Sequence, residues 1–215
     1  SGSPTVAELN AIAAKCGVVT ATLASTAIAA LTHSTDGLAT ASTDVITIAV
    51  SDKSTVSQGA TLAGKTAGNI TFTLIEDSFG NLTDAPALNA NLTAVYGNGG
   101  ADAVPVTITG TMADMSANDV TALNLVTAGT TGTVTGTLDG NAAQLKNITT
   151  GAYTITVDDA PNTADGATIT EATSVATVAF AAGINDSAAN LFQLGNYTNL
   201  DKVVGKDADV AIVIN

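Results

Sequence analysis

Residues 153–159 have the sequence YTITVDD, in which apolar side chains alternate with threonine before two aspartates. Alternation with a period of two places successive side chains on opposite faces of a β-strand. The same alternation recurs at residues 19–23 (VTATL), 70–74 (ITFTL) and 134–138 (VTGTL). A sheet covered on both faces has continuous aliphatic strands instead. The pattern therefore predicts a sheet with one packed face and one threonine face.

The alternation assigns the strand residues to these two faces. The predicted threonine face consists of Thr20, Thr22, Thr47, Thr71, Thr73, Thr107, Thr109, Thr135, Thr137, Thr154, Thr156 and Thr177. The predicted aliphatic face consists of Val19, Ala21, Leu23, Ile46, Ile48, Ile70, Phe72, Leu74, Ile108, Leu138, Ile155, Val157 and Val178. Each large aliphatic side chain gains about 1.5–3 kcal/mol on leaving water, whereas threonine gains little. We therefore expect the aliphatic face to be buried.

Strand-like runs are separated by alanine-rich segments with helical spacing, such as Val6, Leu9 and Ala13, or Ala142 and Leu145. The strand-like runs are residues 18–23, 45–50, 69–75, 104–109, 133–138, 152–157, 175–180 and 209–214. Their spacing of roughly 20 to 35 residues suits helical crossovers between parallel strands and is close to the period of a leucine-rich-repeat-like stack. The predicted fold is an irregular α/β solenoid of parallel strands with helical crossovers.

Two tandem immunoglobulin-like β-sandwiches are the alternative fold. Residues 76–81 (EDSFGN) resemble a turn of bacterial immunoglobulin-like domains, and about 107 residues per copy suits such a domain. The alanine-rich helical segments favour the solenoid.

The chain also contains an internal repeat. Residues 6–10 (VAELN), 46–52 (ITIAVSD), 59–62 (GATL) and 77–82 (DSFGNL) match, in the same order, residues 120–124 (VTALN), 153–159 (YTITVDD), 166–169 (GATI) and 186–191 (DSAANL). Collinear matches of this kind indicate a repeat architecture. They predict two divergent copies, residues 5–112 and 113–215, with residues 1–4 as a cleavage remnant. Because residues 210–215 stop within an apolar strand pattern, we expect the chain to be part of a longer array.

Composition excludes several classes of partner. The chain has 19 acidic residues and six lysines, no arginine, and a formal net charge of −13. It therefore repels phosphate backbones and cannot form bidentate arginine–phosphate pairs, which argues against nucleic acid. No apolar run approaches the ~18 residues of a membrane helix, so membrane insertion is not expected.

Residues 155–160 (ITVDDA), 166–169 (GATI) and 186–191 (DSAANL) resemble the Ala/Thr/Asp-rich repeat regions of large secreted bacterial surface proteins. Those proteins include S-layer-like, adhesin-like and RTX-associated exoproteins. The resemblance implies an extracellular, structural or adhesive module that contacts neighbouring repeat modules or surface-layer subunits and has no enzymatic activity. The calcium-binding nonapeptide of RTX proteins is absent, and its nearest approach, residues 98–102 (NGGAD), lacks the third glycine.

A ligand- or ice-binding solenoid that uses the threonine face is the alternative function. Regular Thr-x-Thr ladders on flat parallel sheets are similar to the surfaces of some ice-binding solenoids. In this chain Ala49, Gly136 and Ala179 interrupt the ladder.

Aspartates follow many of the strands and are the main candidate site residues: Asp52, Asp77, Asp139, Asp159 and Asp186. We expect them to cap the helix that follows each strand. Calcium binding is the alternative, for which Asp158 and Asp159 with Asp165 are the best ligand set.

No catalytic residue and no bound cofactor is predicted. The lone Cys16 is expected to be a small buried helix residue, and the lone His33 is expected to lie in a solvated loop. One cysteine and one histidine cannot form a zinc site of the usual composition.

Overall fold

A computed structural model describes residues 2–98, 103–175, 177–192 and 197–215, which form a mixed α/β fold. The strands are β1 (Thr20–Thr22), β2 (Val45–Ala49), β3 (Lys53–Ser54), β4 (Ile70–Thr71), β5 (Leu74–Ser78), β6 (Thr83–Asp84), β7 (Ala87–Leu88), β8 (Val106–Met112), β9 (Val134–Gly140), β10 (Ala152–Val157), β11 (Val178–Phe180), β12 (Ile184–Asp186) and β13 (Ile212–Ile214). The helices are α1 (Val6–Ala13), α2 (Ile28–Thr32), α3 (Val56–Ala63), α4 (Phe79–Leu82), α5 (Ala90–Tyr96), α6 (Ala117–Ala128), α7 (Ala142–Leu145), α8 (Thr163–Glu171), α9 (Ala188–Phe192) and α10 (Thr198–Val204).

Neighbouring strands within the larger sheets follow chain order. One sheet has the order β1-β2-β4, and a six-stranded parallel sheet has the order β3-β5-β8-β9-β10-β11. Two further pairs are β12-β13, which is parallel, and β6-β7. Residues 45–54 and 70–78 each supply one strand to each of the two larger sheets. In both segments the first strand, β2 or β4, belongs to the three-stranded sheet, and the next strand, β3 or β5, belongs to the six-stranded sheet.

This topology confirms parallel strands joined by helices. Each of the eight predicted strand-like runs overlaps at least one strand, and the two predicted helical segments form α1 and α7. The tandem immunoglobulin-like alternative is wrong, because such sandwiches are built from antiparallel sheets. The solenoid arrangement and the division into two copies at residues 5–112 and 113–215 stay predictions.

Burial confirms the assignment of the two faces. Ile46, Ile48, Ile155 and Val157 are at most 1% exposed. All other members of the predicted aliphatic face are buried too, apart from the half-buried Ala21 and Leu74, whereas every member of the threonine face is exposed or half-buried. The core therefore lies between the aliphatic faces of the strands and the crossover helices.

The chain divides into two compact units. Unit 1 comprises Ser1–Asp84, Leu88–Thr107 and Ala128–Thr133. Unit 2 comprises Ala85–Ala87, Ile108–Thr127 and Val134–Asn215.

Each unit contains a close helix–helix contact at a glycine. In unit 1, a Cβ on Gly59 of α3 would lie 2.8 Å from the Val95 side chain of α5 and 3.4 Å from the Phe72 ring. In unit 2, a Cβ on Gly166 of α8 would lie 3.1 Å from Val203 of α10 and 3.5 Å from the Phe180 ring. The sequence match between residues 59–62 and 166–169 thus corresponds to the same local packing in both units.

Candidate functional site

The aspartates predicted as site residues lie at the carboxyl ends of strands, where four of them bind the first backbone N–H of a helix. We call Asp52, Asp77, Asp159 and Asp186 the aspartate edge. The acceptor and donor pairs are Asp52 with Ile28 of α2 (2.7 Å), Asp77 with Val56 of α3 (3.1 Å), Asp159 with Ala142 of α7 (2.7 Å) and Asp186 with Thr163 of α8 (2.9 Å). A carboxylate is favourable at this position because the first helical N–H groups lack partners and carry partial positive charge.

The predicted direction of capping is wrong. In each pair the aspartate binds the helix that precedes its own strand. The side-chain caps of α3, α7 and α8 come instead from Thr55, Asn141 and Asn162. In a parallel array all crossover helices begin at the edge where the strands end, so a side chain at a strand end reaches the neighbouring helix. Each carboxylate of the aspartate edge therefore joins two consecutive strand–helix segments.

Asp186 is the most completely bonded member of the aspartate edge. One carboxylate oxygen accepts from the Thr163 N–H and hydroxyl, both at 2.9 Å, and the other accepts from the Ser187 N–H at 2.8 Å and from Asn190 Nδ2 at 2.7 Å. Burial of Asp186 acts to raise its pKa, but these four donors outweigh burial and hold the pKa below its ordinary value. Asp77 likewise accepts hydrogen bonds from the N–H of the next residue, Ser78, and from the side-chain amide of Asn81.

The predicted calcium ligands do not come together. Asp165 forms an ion pair with Lys146 at 3.1 Å, and Asp159 binds the first N–H of α7. Within the described ranges, no group of three or more histidine, cysteine, aspartate or glutamate side chains is arranged to hold a metal ion. Apart from Asn98, the motif at residues 98–102 lies outside the described residues.

Asp139, at the end of β9, faces Asp158, which follows β10. The hydrogen-bonding contact with Asp139, desolvation and the negative charges of Asp139, Asp114 and Asp159 together raise the pKa of Asp158. The Asp139 Oδ1 atom is buried and has no donor among the described residues. A proton on one of the two carboxyls supplies the missing donor, so protonation stabilises this contact.

This pair predicts a pH effect with a definite sign. Because the pKa of folded Asp158 is raised, its stabilising contribution is complete below the unfolded pKa and is lost as the pH rises through the folded pKa. We expect Asp139→Asn, which supplies an N–H donor and removes a charge, to raise the Tm at pH 7 and to reduce the difference between the Tm values at pH 4.5 and pH 7. The measurement is a thermal melt at both pH values. The exposed Asp209→Asn is the charge-matched control, and an equal effect of that variant would contradict the pairing.

The threonine face brings residues from neighbouring strands into register. Thr22 lies opposite Thr47 in the β1-β2 pair, and Thr137 lies opposite Thr154 in the β9-β10 pair. Neighbouring strands are about 4.8 Å apart, which sets the spacing of these threonines.

Two of the three predicted interruptions of the threonine ladder are exposed. Ala49 pairs with Thr71 and Ala179 pairs with Thr156. The prediction for Gly136 is wrong. Gly136 belongs to the packed face, where a Cβ would lie 3.3 Å from Ile108.

The lone cysteine and histidine lie in different settings. The prediction for Cys16 is wrong, because α1 ends at Ala13 and leaves the thiol exposed. The prediction for His33 is confirmed: its side chain is 55% exposed and lies in the loop after α2. His33 Nδ1 accepts from the backbone N–H groups of Asp36 at 3.2 Å and Thr35 at 3.4 Å.

Sequence reasoning missed a pair of asparagine clamps. Asn10 donates to the Gly37 carbonyl and accepts from the Ala39 N–H, both at 2.8 Å. Asn124 makes the same two bonds to Asn147 (2.9 Å) and Thr149 (2.7 Å). The sequence match between residues 6–10 and 120–124 could have indicated these equivalent asparagines, because both segments end on them.

Comparison with protein-family models, curated proteins and solved structures gave no match to this chain. In the part of the chain that the structure describes, every helix is too short or too polar to cross a bilayer.

Proposed function

We propose that this chain is a structural or adhesive module of an exported bacterial cell-surface protein and that it has no catalytic role. In this proposal the threonine face contacts neighbouring repeat modules or surface-layer subunits. The supporting observation is the separation of the two faces: threonines project outward from successive parallel strands, while the aliphatic side chains of the same strands are buried.

The aspartate edge supports a structural role. Each of its four carboxylates links a strand end to the helix of the preceding segment, so consecutive segments are joined by side chains as well as by backbone pairing. Hydrogen bonds to an ionised acceptor are about twice as strong as neutral ones. A chain with these cross-links resists local opening between segments.

The surroundings of the reactive side chains favour a non-enzymatic role. His33 Nδ1 accepts backbone N–H groups rather than the proton of a nucleophile. A nucleophile needs a base within hydrogen-bond reach, and Cys16 has no hydrogen bond to His33.

Variants with paired substitutions test the role of the threonine face. We expect Thr137→Lys with Thr154→Lys to lower adsorption to a layer of the same protein, or to bacterial sacculi, by at least about threefold, because burying two uncompensated charges in a contact costs free energy. The measurement uses a quartz-crystal microbalance. The control carries Thr121→Lys and Thr168→Lys on exposed helix positions. Absence of adsorption by the unmodified chain, or an equal loss in the control, would count against the proposal.

Ice is the second candidate ligand of the same face. The in-register pairs Thr22 with Thr47 and Thr137 with Thr154 favour it, because they repeat hydroxyl and methyl groups at the strand spacing. The same variants discriminate the two functions. Thermal hysteresis that disappears in the Thr137 and Thr154 variant would favour ice binding, and its absence in the unmodified chain would exclude it.

A further inference from the structure

Exposed apolar side chains are concentrated in two regions of the chain. Among the described residues, every exposed large hydrophobic side chain except that of Leu125 lies in residues 12–45 or 192–214. The three consecutive residues of β13, Ile212–Ile214, are all exposed. A contiguous apolar surface of this kind indicates an interaction site.

The strand β13 matches β8 in sequence and in backbone pairing. Residues 210–214 (VAIVI) align with residues 104–108 (VPVTI). β13 is the neighbour of β12, and β8 is the neighbour of β5. In both pairs the isoleucine two residues before the matched aspartate donates its N–H to the adjacent strand segment: Ile184 to the Ala211 carbonyl at 2.8 Å, and Ile75 to the Pro105 carbonyl at 2.9 Å. β13 is therefore equivalent to β8 in its backbone position.

The two equivalent strands differ in what covers them. Val106 and Ile108 of β8 are at most 3% exposed, whereas the equivalent Ile212 and Ile214 are 37% and 64% exposed. On its other edge β8 has the neighbour β9, and the Val106 N–H donates to the Thr133 carbonyl at 3.0 Å. Within the described residues, β13 pairs with β12 alone. An edge strand of this kind presents N–H and C=O groups that a further strand can bind.

The segment that contains β1 matches the segment that pairs with β8. Residues 17–23 (GVVTATL) align with residues 132–138 (GTVTGTL). A Cβ on Gly132 would lie 2.4 Å from the Val104 carbonyl oxygen, so this segment approaches its neighbour through a glycine. A Cβ on the equivalent Gly17 would have no described atom within 4 Å. The β1 segment therefore carries the glycine of a close strand contact but does not make that contact within the chain.

The helix before β1 is also incompletely covered. α1 precedes β1 as α6 precedes β9, and the match between residues 6–10 and 120–124 extends to Ile12 and Val126. Val126 is 0% exposed, whereas Ile12 is 47% exposed. α1 thus leaves uncovered a position that is buried in α6.

Both regions carry little net charge. Residues 6–18 contain one acidic and one basic residue, and residues 204–215 contain two acidic residues and one basic residue. In a chain of net charge −13, like charges oppose the association of copies. A contact between these two regions brings few like charges together.

We propose that copies of this chain associate head to tail, with α1 and β1 of one copy adding to β13 of another. We call α1 with residues 17–22 the first surface and β13 the last surface. In the contact, β1 pairs in parallel with β13, Gly17 lies against the backbone at Val210, and α1 covers Ile212 and Ile214. The arrangement reproduces between chains the contact that residues 132–133 make with residues 104–106 within unit 1.

The proposed contact is heterologous, because the first and last surfaces differ. Each bound copy keeps one of its two surfaces free, so the contact is repeated from copy to copy. The contact does not involve Thr137 or Thr154. It therefore goes beyond the function proposed above and is tested independently of it.

Sedimentation velocity of the full chain tests the association. We expect the weight-average mass to rise with concentration between about 1 µM and about 1 mM, the range in which weak contacts between copies are populated. A chain that stays monomeric throughout this range would overturn the proposal.

Two variants each block one of the two surfaces. Gly17→Leu places a side chain where the isolated chain has open space, and Ile214→Lys places a charge on an exposed position of β13. Each variant alone should associate at least about tenfold more weakly than the unmodified chain. An equimolar mixture should form a heterodimer and no larger species, because only one intact first surface and one intact last surface remain in each pair. Failure of the mixture to form this heterodimer would contradict a head-to-tail contact.

Controls separate the contact from general surface effects. Gly80→Leu fills an equally open glycine position, and Leu125→Lys charges the exposed hydrophobic residue outside the two regions. Both should associate as the unmodified chain does, and an equal loss in either one would overturn the proposal. Circular dichroism and the Tm verify that each variant is folded. Ile12→Lys is a second variant of the first surface if Gly17→Leu lowers the Tm, and undiminished association of Ile12→Lys or Ile214→Lys would also overturn the proposal.

Discussion

Replacing Phe72 by alanine should lower the free energy of unfolding by about 3–5 kcal/mol. Phe72 is 3% exposed and lies between β4 and β5, where its ring packs close to Gly59 of α3. Because α3 approaches the sheet through a glycine, Gly59 has no side chain that could fill the cavity left by the ring. The lost burial and the unfilled space therefore both contribute to the expected effect.

Urea denaturation of matched variants tests this assignment. Thr71→Ala, on the exposed threonine face, should cost under about 0.5 kcal/mol. Thr73→Ala should cost about 1 kcal/mol, since its hydroxyl donates to the Val50 carbonyl at 2.6 Å. Phe180→Ala should match Phe72→Ala, because its ring occupies the same position beside Gly166. If Thr73→Ala is more damaging than Phe72→Ala, the assignment of the buried face is inverted.

The strands and their faces could be predicted because strand alternation is a local property. In residues 46–50 large aliphatic residues alternate with Thr47 and Ala49. In the structure the aliphatic side chains are buried, and Thr47 and Ala49 are exposed. Burial of the aliphatic set follows from transfer free energy alone, without knowledge of which strands are neighbours. The helical crossovers followed from the length of the intervening segments.

The side-chain contacts of the aspartates could not be predicted in the same way. Asp52 binds an N–H group 24 residues earlier in the chain, and this partner depends on the parallel neighbour of its strand. The local sequence around Asp52 contains an equally good helix start at Thr55, so local reasoning assigns the aspartate to the wrong helix. The length of α1, which decides the exposure of Cys16, was also not fixed by its apolar spacing.

One of the internal sequence matches corresponds to an equivalent side-chain contact in the structure. Residues 76–81, which overlap the repeat match at residues 77–82, resemble a turn of an immunoglobulin-like domain in the alternative fold. In the structure Asp77 and Asn81 form the same hydrogen bond as Asp186 and Asn190. The sequence match predicts that the two positions are equivalent, and the structure shows that each carboxylate accepts a hydrogen bond from an asparagine side chain.

Asp186→Asn should lower the free energy of unfolding at pH 7 by about 2–4 kcal/mol. The two carboxylate oxygens of Asp186 together accept four hydrogen bonds, and the side chain is only 7% exposed. An asparagine keeps one of these oxygens and places an amide donor where the other stood. Two donors then lose their acceptor at a position that is almost inaccessible to solvent. Asp77→Asn should cost less, because Asp77 is only half-buried.

The pH dependence of the same variant gives a second, independent test. Because the pKa of folded Asp186 is lowered, its stabilising contribution is present above the unfolded pKa of about 3.9 and is lost as the pH falls through the lower folded value. The unmodified chain should therefore lose stability below about pH 4 more steeply than Asp186→Asn does. Chemical denaturation at pH 7 and pH 3 measures the difference, with Asp209→Asn as the control for net charge. Equal stability of the two chains at pH 7, or an equal loss at pH 3, would show that the Asp186 carboxylate does not hold the start of α8.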